Sequence, residues 1–437
     1  MKRNFTERLE TWAANADRKP LVMRGMRQTG KTWCVRELAA RRFAGRFCEV
    51  DFEYSKAWRQ VFEADLDPVR ICRELEMLAG TSIVPGETLL FFDEVQACPR
   101  ALESLRYFRE KMPGLHVVAA GSLLDFALEE HPFPVGRVQF AELAPMGFAE
   151  FLEACGEEVL AEAVRGAPAA LPEAVHGRLL ERVKEYCLAG GLPECVRIWA
   201  ETRRYRPVRE TQEALVSAFE QDFGKYPERM DADTLEAVWR NANASVGRQV
   251  SWAGLSREHA GATNKKAFSL LCKARLLHAC RAVAGAAFPF ESDATPRIKP
   301  YAGDVGLFQA RSGMPVDPQI LAGDILSVYQ GALAEQFVAQ EFAAARGREA
   351  LHWWKREAHN STAEVDFVVE AGGRVVPVEV KAGAAGRLRS LHQFLADHPN
   401  VKEGVVLSSA PYGTLPEQRL RFVPLYFAGS FAAAQAN

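Results

Sequence analysis

Apolar runs and helical patterns alternate along the first 150 residues. A run ending P-L-V-M-R at Arg24, the run T-L-L-F-F-D-E (88–94), the run L-H-V-V-A-A-G-S (115–122) and part of V-G-R-V-Q-F-A-E-L-A-P-M-G-F-A-E-F (135–151) read as strands. Continuous apolar runs suit strands buried on both faces, as in a parallel sheet covered by helices. W-C-V-R-E-L-A-A after the first run carries the helical pattern, and Phe5, Leu9 and Trp12 share one helical face before it. The expectation is an α/β domain over 1–150 built on a doubly wound parallel sheet.

From 151 to 300 the pattern is mainly helical, which predicts a connector. G-A-P-A-A-L-P-E (166–173) interrupts it, since prolines end helices. In Y-C-L-A-G-G-L-P-E-C-V a helix can stop at Gly190 or Gly191 in the left-handed conformation and Pro193 can open the next, giving a stiff elbow between domains. A direct nucleotide contact from the two glycines is the other reading. Farther on, S-W-A-G-L-S-R-E-H-A-G-A-T-N-K-K-A-F-S-L-L looks like a helix-turn-helix. Its core would be Trp252, Leu255, Ala267, Leu270 and Leu271, and Thr263, Asn264, Lys265 and Lys266 would open the second helix. A winged helix could set those four residues against DNA. Residues 301–437 read helix (331–345), strand (350–355), strand (363–370), strand (374–381), helix (388–397), strand (404–408).

Charge changes this picture little. With 54 Lys+Arg against 56 Asp+Glu, the net charge of −2 gives no overall basic signal for nucleic acid, though a local groove can hide in a balanced total. The nine cysteines form no C-x-x-C pair, which argues against a zinc site and for reduced thiols in a cytoplasmic protein. The N-terminus carries acids and no long apolar run, unlike a signal peptide, and no stretch of 18 apolar residues predicts a membrane span.

The chemistry begins at G-M-R-Q-T-G-K-T, which is Gly25, Met26, Arg27, Gln28, Thr29, Gly30, Lys31 and Thr32. In strand–loop–helix context this G-x-x-x-x-G-K-[ST] spacing lets backbone N–H groups wrap a phosphate at a helix N-terminus. Lys31 would reach the β/γ-phosphates and Thr32 would hold Mg²⁺. Asp93, ending a buried strand, would support the Mg²⁺ shell, and Glu94 would activate the attacking water. Ser122, beyond the next strand, would face the γ-phosphate, and Arg137 would stabilise transition-state charge in its own or a neighbouring subunit.

Taken in order, G-M-R-Q-T-G-K-T, F-F-D-E-V-Q, A-A-G-S, V-G-R, A-P-M-G-F-A-E-F, A-G-G-L-P-E, Y-A-G-D-V-G-L, G-A-L-A-E-Q-F-V, A-E-V-D-F-V-V and V-E-V-K span nearly the whole chain. The series resembles prokaryotic AAA-type P-loop ATPases that carry a C-terminal domain of uncharacterised function with a restriction-endonuclease-like core. The resemblance implies ATP and Mg²⁺ as ligands, a PD-(D/E)XK-like α/β domain over 301–437, action between subunits of a homo-oligomer, and Glu335 as an added acid.

The hairpin over 364–381 makes the last point specific. If Gly372-Gly373 forms the two-residue turn, Asp366 and Glu379, each six residues from its turn glycine, lie directly opposite each other. Their Cβ atoms would be about 5 Å apart on one face, with Lys381 on the same face. Facing like charges ask for a compensating cation. A divalent metal on Asp366 and Glu379 would supply it, with Lys381 polarising a water or phosphate as in D…E-x-K phosphodiester cleavage. A surface ion pair, or a degenerate nuclease fold that binds without cutting, satisfies the same pattern. Two functions follow: Mg²⁺-dependent ATP hydrolysis coupled to a C-terminal domain that binds or processes DNA, and a nucleotide-dependent switch whose inactive nuclease-like domain binds a partner protein.

Overall fold

The computed structural model describes residues 1–122, 124–126, 136–225, 230–291, 297–313, 331–356, 363–383 and 387–434. The chain divides into two compact units, Met1–Ala144 and Pro145–Asn437. Three parts were expected, and the first boundary falls six residues earlier than 150.

In the first unit, strands β1 (Leu21–Arg24), β2 (Phe47–Asp51), β3 (Leu89–Asp93), β4 (His116–Ala120) and β5 (Gln139–Glu142) form one parallel sheet in the order β2-β3-β4-β1-β5. Burial alternates along β3. Leu90 and Phe92 pack on one face with Val22, Val50 and Phe108, while Leu89 and Phe91 pack on the other with Met23, Leu38 and Trp12. The N-terminal helix Phe5–Ala14 buries Leu9 and Trp12 as its pattern required. Strand β2 was not foreseen: F-C-E-V-D buries only alternate residues at the sheet edge, so it lacks the continuous apolar signature of β3 and β4.

The second unit carries a sheet ordered β7-β6-β8-β9 and another ordered β10-β11-β12-β14-β13. These strands are β6 (Leu277–Val283), β7 (Ile298–Ala302), β8 (His352–Lys355), β9 (Glu364–Val365), β10 (Phe367–Ala371), β11 (Arg374–Val380), β12 (Gly404–Ser408), β13 (Gly413–Leu415) and β14 (Leu420–Pro424). Helix Ala332–Arg346 precedes β8 and helix Arg389–Asp397 precedes β12, giving the expected order, to which β13 and β14 are added.

Over the segment expected to be winged-helix-like lie helices Ala232–Ala244 and Gly261–Lys273, the antiparallel β6–β7 pair and a bridge from Val250 to Ile298. Its strand β6 also pairs in parallel with β8. That ladder crosses the expected boundary at 300 and explains why connector and C-terminal domain form one unit. Leu255, Ala267, Leu270 and Leu271 are buried as expected, whereas Trp252 is only half-buried. Asn264 does not face outward. It is fully buried, its amide donating to the carbonyls of Trp252 (2.9 Å) and Ser256 (2.8 Å), so it locks the turn. Lys265 and Lys266 remain exposed.

Helix Glu173–Ala189 does end at Gly190 with φ 74°, and Pro193 does open helix Pro193–Thr202. The glycine pair is not an elbow between units, because it is tied inside the second one. Asp304 accepts the Gly191 N–H at 2.7 Å, and Gln340 donates to the Tyr186 hydroxyl at 2.8 Å, which donates to the Met146 carbonyl at 2.6 Å.

Candidate functional site

The loop after β1 must turn sharply onto helix Lys31–Arg42. Gln28 (φ 66°) and Gly30 (φ 89°) both adopt left-handed conformations to do so. At Gly25 a side chain is excluded by close approach, since a Cβ there would lie 2.5 Å from the Leu143 carbonyl oxygen. Thr29 closes the loop by donating to the Met26 carbonyl at 2.9 Å. Arg3 braces it from outside, donating to the carbonyls of Thr29 (2.5 Å) and Ala144 (2.7 Å).

Inside the loop, the buried Lys31 ammonium donates to the carbonyls of Gly25 and Met26, both at 3.0 Å. Thr32 Oγ1 donates to Asp93 Oδ2 at 2.7 Å, and Asp93 Oδ1 accepts the Glu94 N–H at 3.0 Å. Burial pushes the Asp93 carboxyl up to about 6, against the Thr32 hydrogen bond and with added repulsion from Glu94 and Asp51. A hydroxyl and a carboxylate in contact, with more negative charge nearby than the site comfortably holds, fit a hard cation with oxygen ligands. Thr32 and Asp93 would hold Mg²⁺ here.

Glu94 sits just past the strand in a left-handed conformation (φ 46°), its carboxylate accepting from Gln96 Nε2 at 2.7 Å. Gln96 reaches the next strand end: a Cβ on Gly121 would collide with its Oε1. Because β4 lies between β1 and β3, Ser122 comes to the loop, and its hydroxyl accepts from Arg27 Nε at 3.0 Å. Arg3, Gln96 and the Arg27 side chain were not singled out as side-chain participants in the sequence. Their roles depend on which strand ends meet, which no local spacing reveals.

Arg137 lies elsewhere. It precedes β5, whose first residue pairs with Leu21 at the start of β1, so it belongs to the amino edge of the sheet. Five positions separate it from Glu142, about 17 Å of extended chain. Its Nε is bound to Glu110 at 3.1 Å, half-exposed. Within its own chain Arg137 is not at the phosphate loop.

A testable consequence attaches to Asp93. Protons compete with the cation, so the Mg²⁺ concentration needed for half-maximal ATP turnover should stay level above about pH 7. Below the carboxyl's value of about 6 it should rise about tenfold per pH unit. Mg²⁺ titrations across that range check this, and a requirement flat down to pH 5 would remove Asp93 from the cation's shell.

In the second unit, Gly372 (φ 56°) and Gly373 (φ 76°) form the expected turn, and Phe367 pairs with Val378 through Ala371 with Arg374. This is the anticipated register. Asp366 sits at the bend where β9 leaves for one sheet and β10 for the other, and its Oδ2 accepts the Val380 N–H at 2.8 Å. Glu379 Oε1 is 2.6 Å from Lys381 Nζ. Glu335, half-buried on helix Ala332–Arg346, accepts from the Tyr301 hydroxyl at 3.2 Å. Burial, then the Asp366 charge, pushes the Glu335 and Glu379 carboxyls up from the usual range.

The compensating cation is within the chain. Lys299 on β7, with no exposed surface, places its ammonium 2.6 Å from Glu364 Oε1 and 3.7 Å from Asp366 Oδ1. Among the described residues no group of three or more His, Cys, Asp or Glu side chains is arranged to hold a metal ion. The expected divalent site on Asp366 and Glu379 thus has two ammonium groups, Lys299 and Lys381, as its neighbours.

Residues 17–152 match the family model of an AAA domain (AAA_14). Residues 180–317 and 330–426 match two domains of unknown function, DUF8612 and DUF4143. The first unit is thus an AAA-type P-loop ATPase domain. No curated protein matches the chain. Among solved structures it is similar to the RuvB Holliday junction branch migration motor of Thermotoga maritima, at 15% identity over 67% of this chain and 93% of that one, TM-score 0.27. It is also similar to a Signal Transduction ATPase with Numerous Domains carrying a tetratricopeptide repeat sensor from Pyrococcus horikoshii, at 12% identity over 79% of this chain and 48% of that one, TM-score 0.28. Drosophila ORC bound to DNA gives 14% identity over 71% and 85%, TM-score 0.28. Among the described residues no helix is long and apolar enough to cross a membrane.

Proposed function

We propose that the first unit hydrolyses ATP with Mg²⁺ and that turnover drives a DNA-directed second unit. The observation that carries this is the Thr32–Asp93 hydrogen bond of 2.7 Å with Glu94 directly following. It brings together a cation-holding pair and a candidate general base at the strand ends beyond the phosphate loop. Bound Mg²⁺ would neutralise charge on the phosphates. The chain's own groups do the rest: the loop amides and Lys31 orient the triphosphate, Ser122 and Arg27 flank it, and Glu94 takes a proton from water.

For the second unit, the exposed Lys265 and Lys266 on helix Gly261–Lys273 of a winged-helix-like segment support contact with the DNA backbone. The described cysteines are all free thiols, which suits a cytoplasmic protein. Arg137, away from its own chain's loop, is available to a neighbouring copy in a homo-oligomer.

Glu94→Gln is the test. It should retain Mg²⁺·ATP binding while phosphate release falls about 100-fold or more, the usual contribution of a positioned base. Unchanged phosphate release would reject Glu94 as the base and, with it, this reading of the site.

A further inference from the structure

We infer that Lys299 is the resident cation of the C-terminal acid cluster, so that the second unit carries a nuclease-like arrangement of acids without using a metal there. The inference stands apart from ATP hydrolysis in the first unit.

Four acids from different elements converge: Glu335 from a helix, Glu364 from β9, Asp366 from the bend and Glu379 from β11. Strand β7 answers them. Lys299 and Tyr301 are two residues apart, hence on one face, and that face supplies an ammonium to Glu364 and Asp366 and a hydroxyl to Glu335. The ammonium is further held 4.9 Å from the Trp353 ring centroid. A lysine with no exposed surface survives only where anions compensate it, so its position is specified by the acids and theirs by it.

Several of the acids' oxygens already face protein donors, among them two ammonium groups. Asp366 Oδ2 accepts the Val380 N–H, Asp366 Oδ1 faces Lys299, Glu364 Oε1 contacts Lys299, and Glu379 Oε1 contacts Lys381. Glu379 Oε2 is buried without a hydrogen-bond partner, but a divalent ion joining it to Asp366 would meet a carboxylate whose two oxygens already face the Val380 N–H and the Lys299 ammonium. A divalent ion bridging Asp366 and Glu379 would also sit against the Lys299 ammonium. Lys381 for its part is engaged by Glu379.

The same geometry predicts a conversion. Removing the ammonium while keeping the acids leaves negative charge enclosed with an opening for a cation. The experiment is a titration of the nucleotide-free full-length chain with Mn²⁺, in an Asp93→Asn background so that the first unit adds no site. Binding is followed by the ion's electron paramagnetic resonance and by thermal melting. The wild-type cluster is expected to take up no Mn²⁺ at 1 mM and the melting temperature to stay unchanged. Lys299→Met is expected to melt lower, to recover as Mn²⁺ is added, and to bind the ion about tenfold or more tighter than the parent. Further change of Glu379 to Gln should abolish that gain. A bound Mn²⁺ in the parent that Asp366→Asn or Glu379→Gln removes, or Mn²⁺-dependent nicking of plasmid DNA lost in the same variants, would overturn the inference. Those arms need no change at Lys299 and so decide the matter even if Lys299→Met fails to fold.

Discussion

Lys31→Ala is expected to weaken ATP binding by about 100-fold to 1,000-fold and to take phosphate release to background. The ammonium is buried in the concave side of the loop, 3.0 Å from the carbonyls of Gly25 and Met26. When a triphosphate enters, those neutral acceptors are exchanged for charged phosphate oxygens. Hydrogen bonds to charged groups contribute about 1.5–3 kcal/mol each, so losing two costs about 3–4 kcal/mol after some compensation by water. At 1.4 kcal/mol per decade that gives the stated range. Isothermal titration with ATP and Mg²⁺, alongside phosphate release, measures both effects. Because the substitution also removes the two hydrogen bonds to the Gly25 and Met26 carbonyls, some lowering of the melting temperature should accompany the loss, and far-ultraviolet circular dichroism at the assay temperature separates unfolding from lost binding. Phosphate release that survives the substitution would show that turnover does not use this loop.

The phosphate loop could be read from the chain because its chemistry is local: eight consecutive residues set the turn, the amides and the ammonium. The hairpin register was legible for the same reason, since Gly372 and Gly373 admit the left-handed turn that fixes every pair beyond it. What escaped the sequence is what long-range topology decides. Whether an arginine beside a strand meets the phosphate depends on which strand end it flanks, and Arg137 flanks the amino end. Asn264 reads as a polar residue opening a recognition helix, yet the preceding turn folds back onto its amide. Lys299 lies in an unremarkable I-K-P-Y-A strand, 65 residues before Glu364, and only the β6–β8 ladder that joins middle and C-terminal segments brings the two together. The sequence posed the need for a cation at Asp366 and Glu379 without showing that the chain had supplied one.

Asp304→Ala is expected to destabilise the second unit by about 4 kcal/mol or more while leaving the first unit's unfolding in place. Asp304 is 1% exposed, and its two oxygens accept three backbone N–H groups: Gly191 at 2.7 Å, Gly306 at 2.9 Å and Leu307 at 3.1 Å. Two of these begin helix Val305–Arg311, where they have no partner within the helix, and the third belongs to the chain leaving helix Glu173–Ala189. No other acceptor can move in easily, because the glycines are already at contact: a Cβ on Gly190 would lie 2.8 Å from Gly306 Cα. Each buried donor left unsatisfied costs about 1–3 kcal/mol, and the three share one carboxylate, so their loss is concerted. Asp304→Asn is the informative control. It keeps one oxygen for Gly306 and Leu307 but turns an amide N–H₂ toward the Gly191 N–H, so it should lose about half as much. Because the chain has two compact units, denaturant unfolding is to be followed with two probes, Mg²⁺·ATP binding for the first and, with Trp12, Trp33 and Trp58 changed to Phe, tryptophan fluorescence for the second. A shift of the second transition by less than about 1 kcal/mol in the alanine variant would mean that the Y-A-G-D-V-G-L and A-G-G-L-P-E segments are held together by apolar packing rather than by this carboxylate.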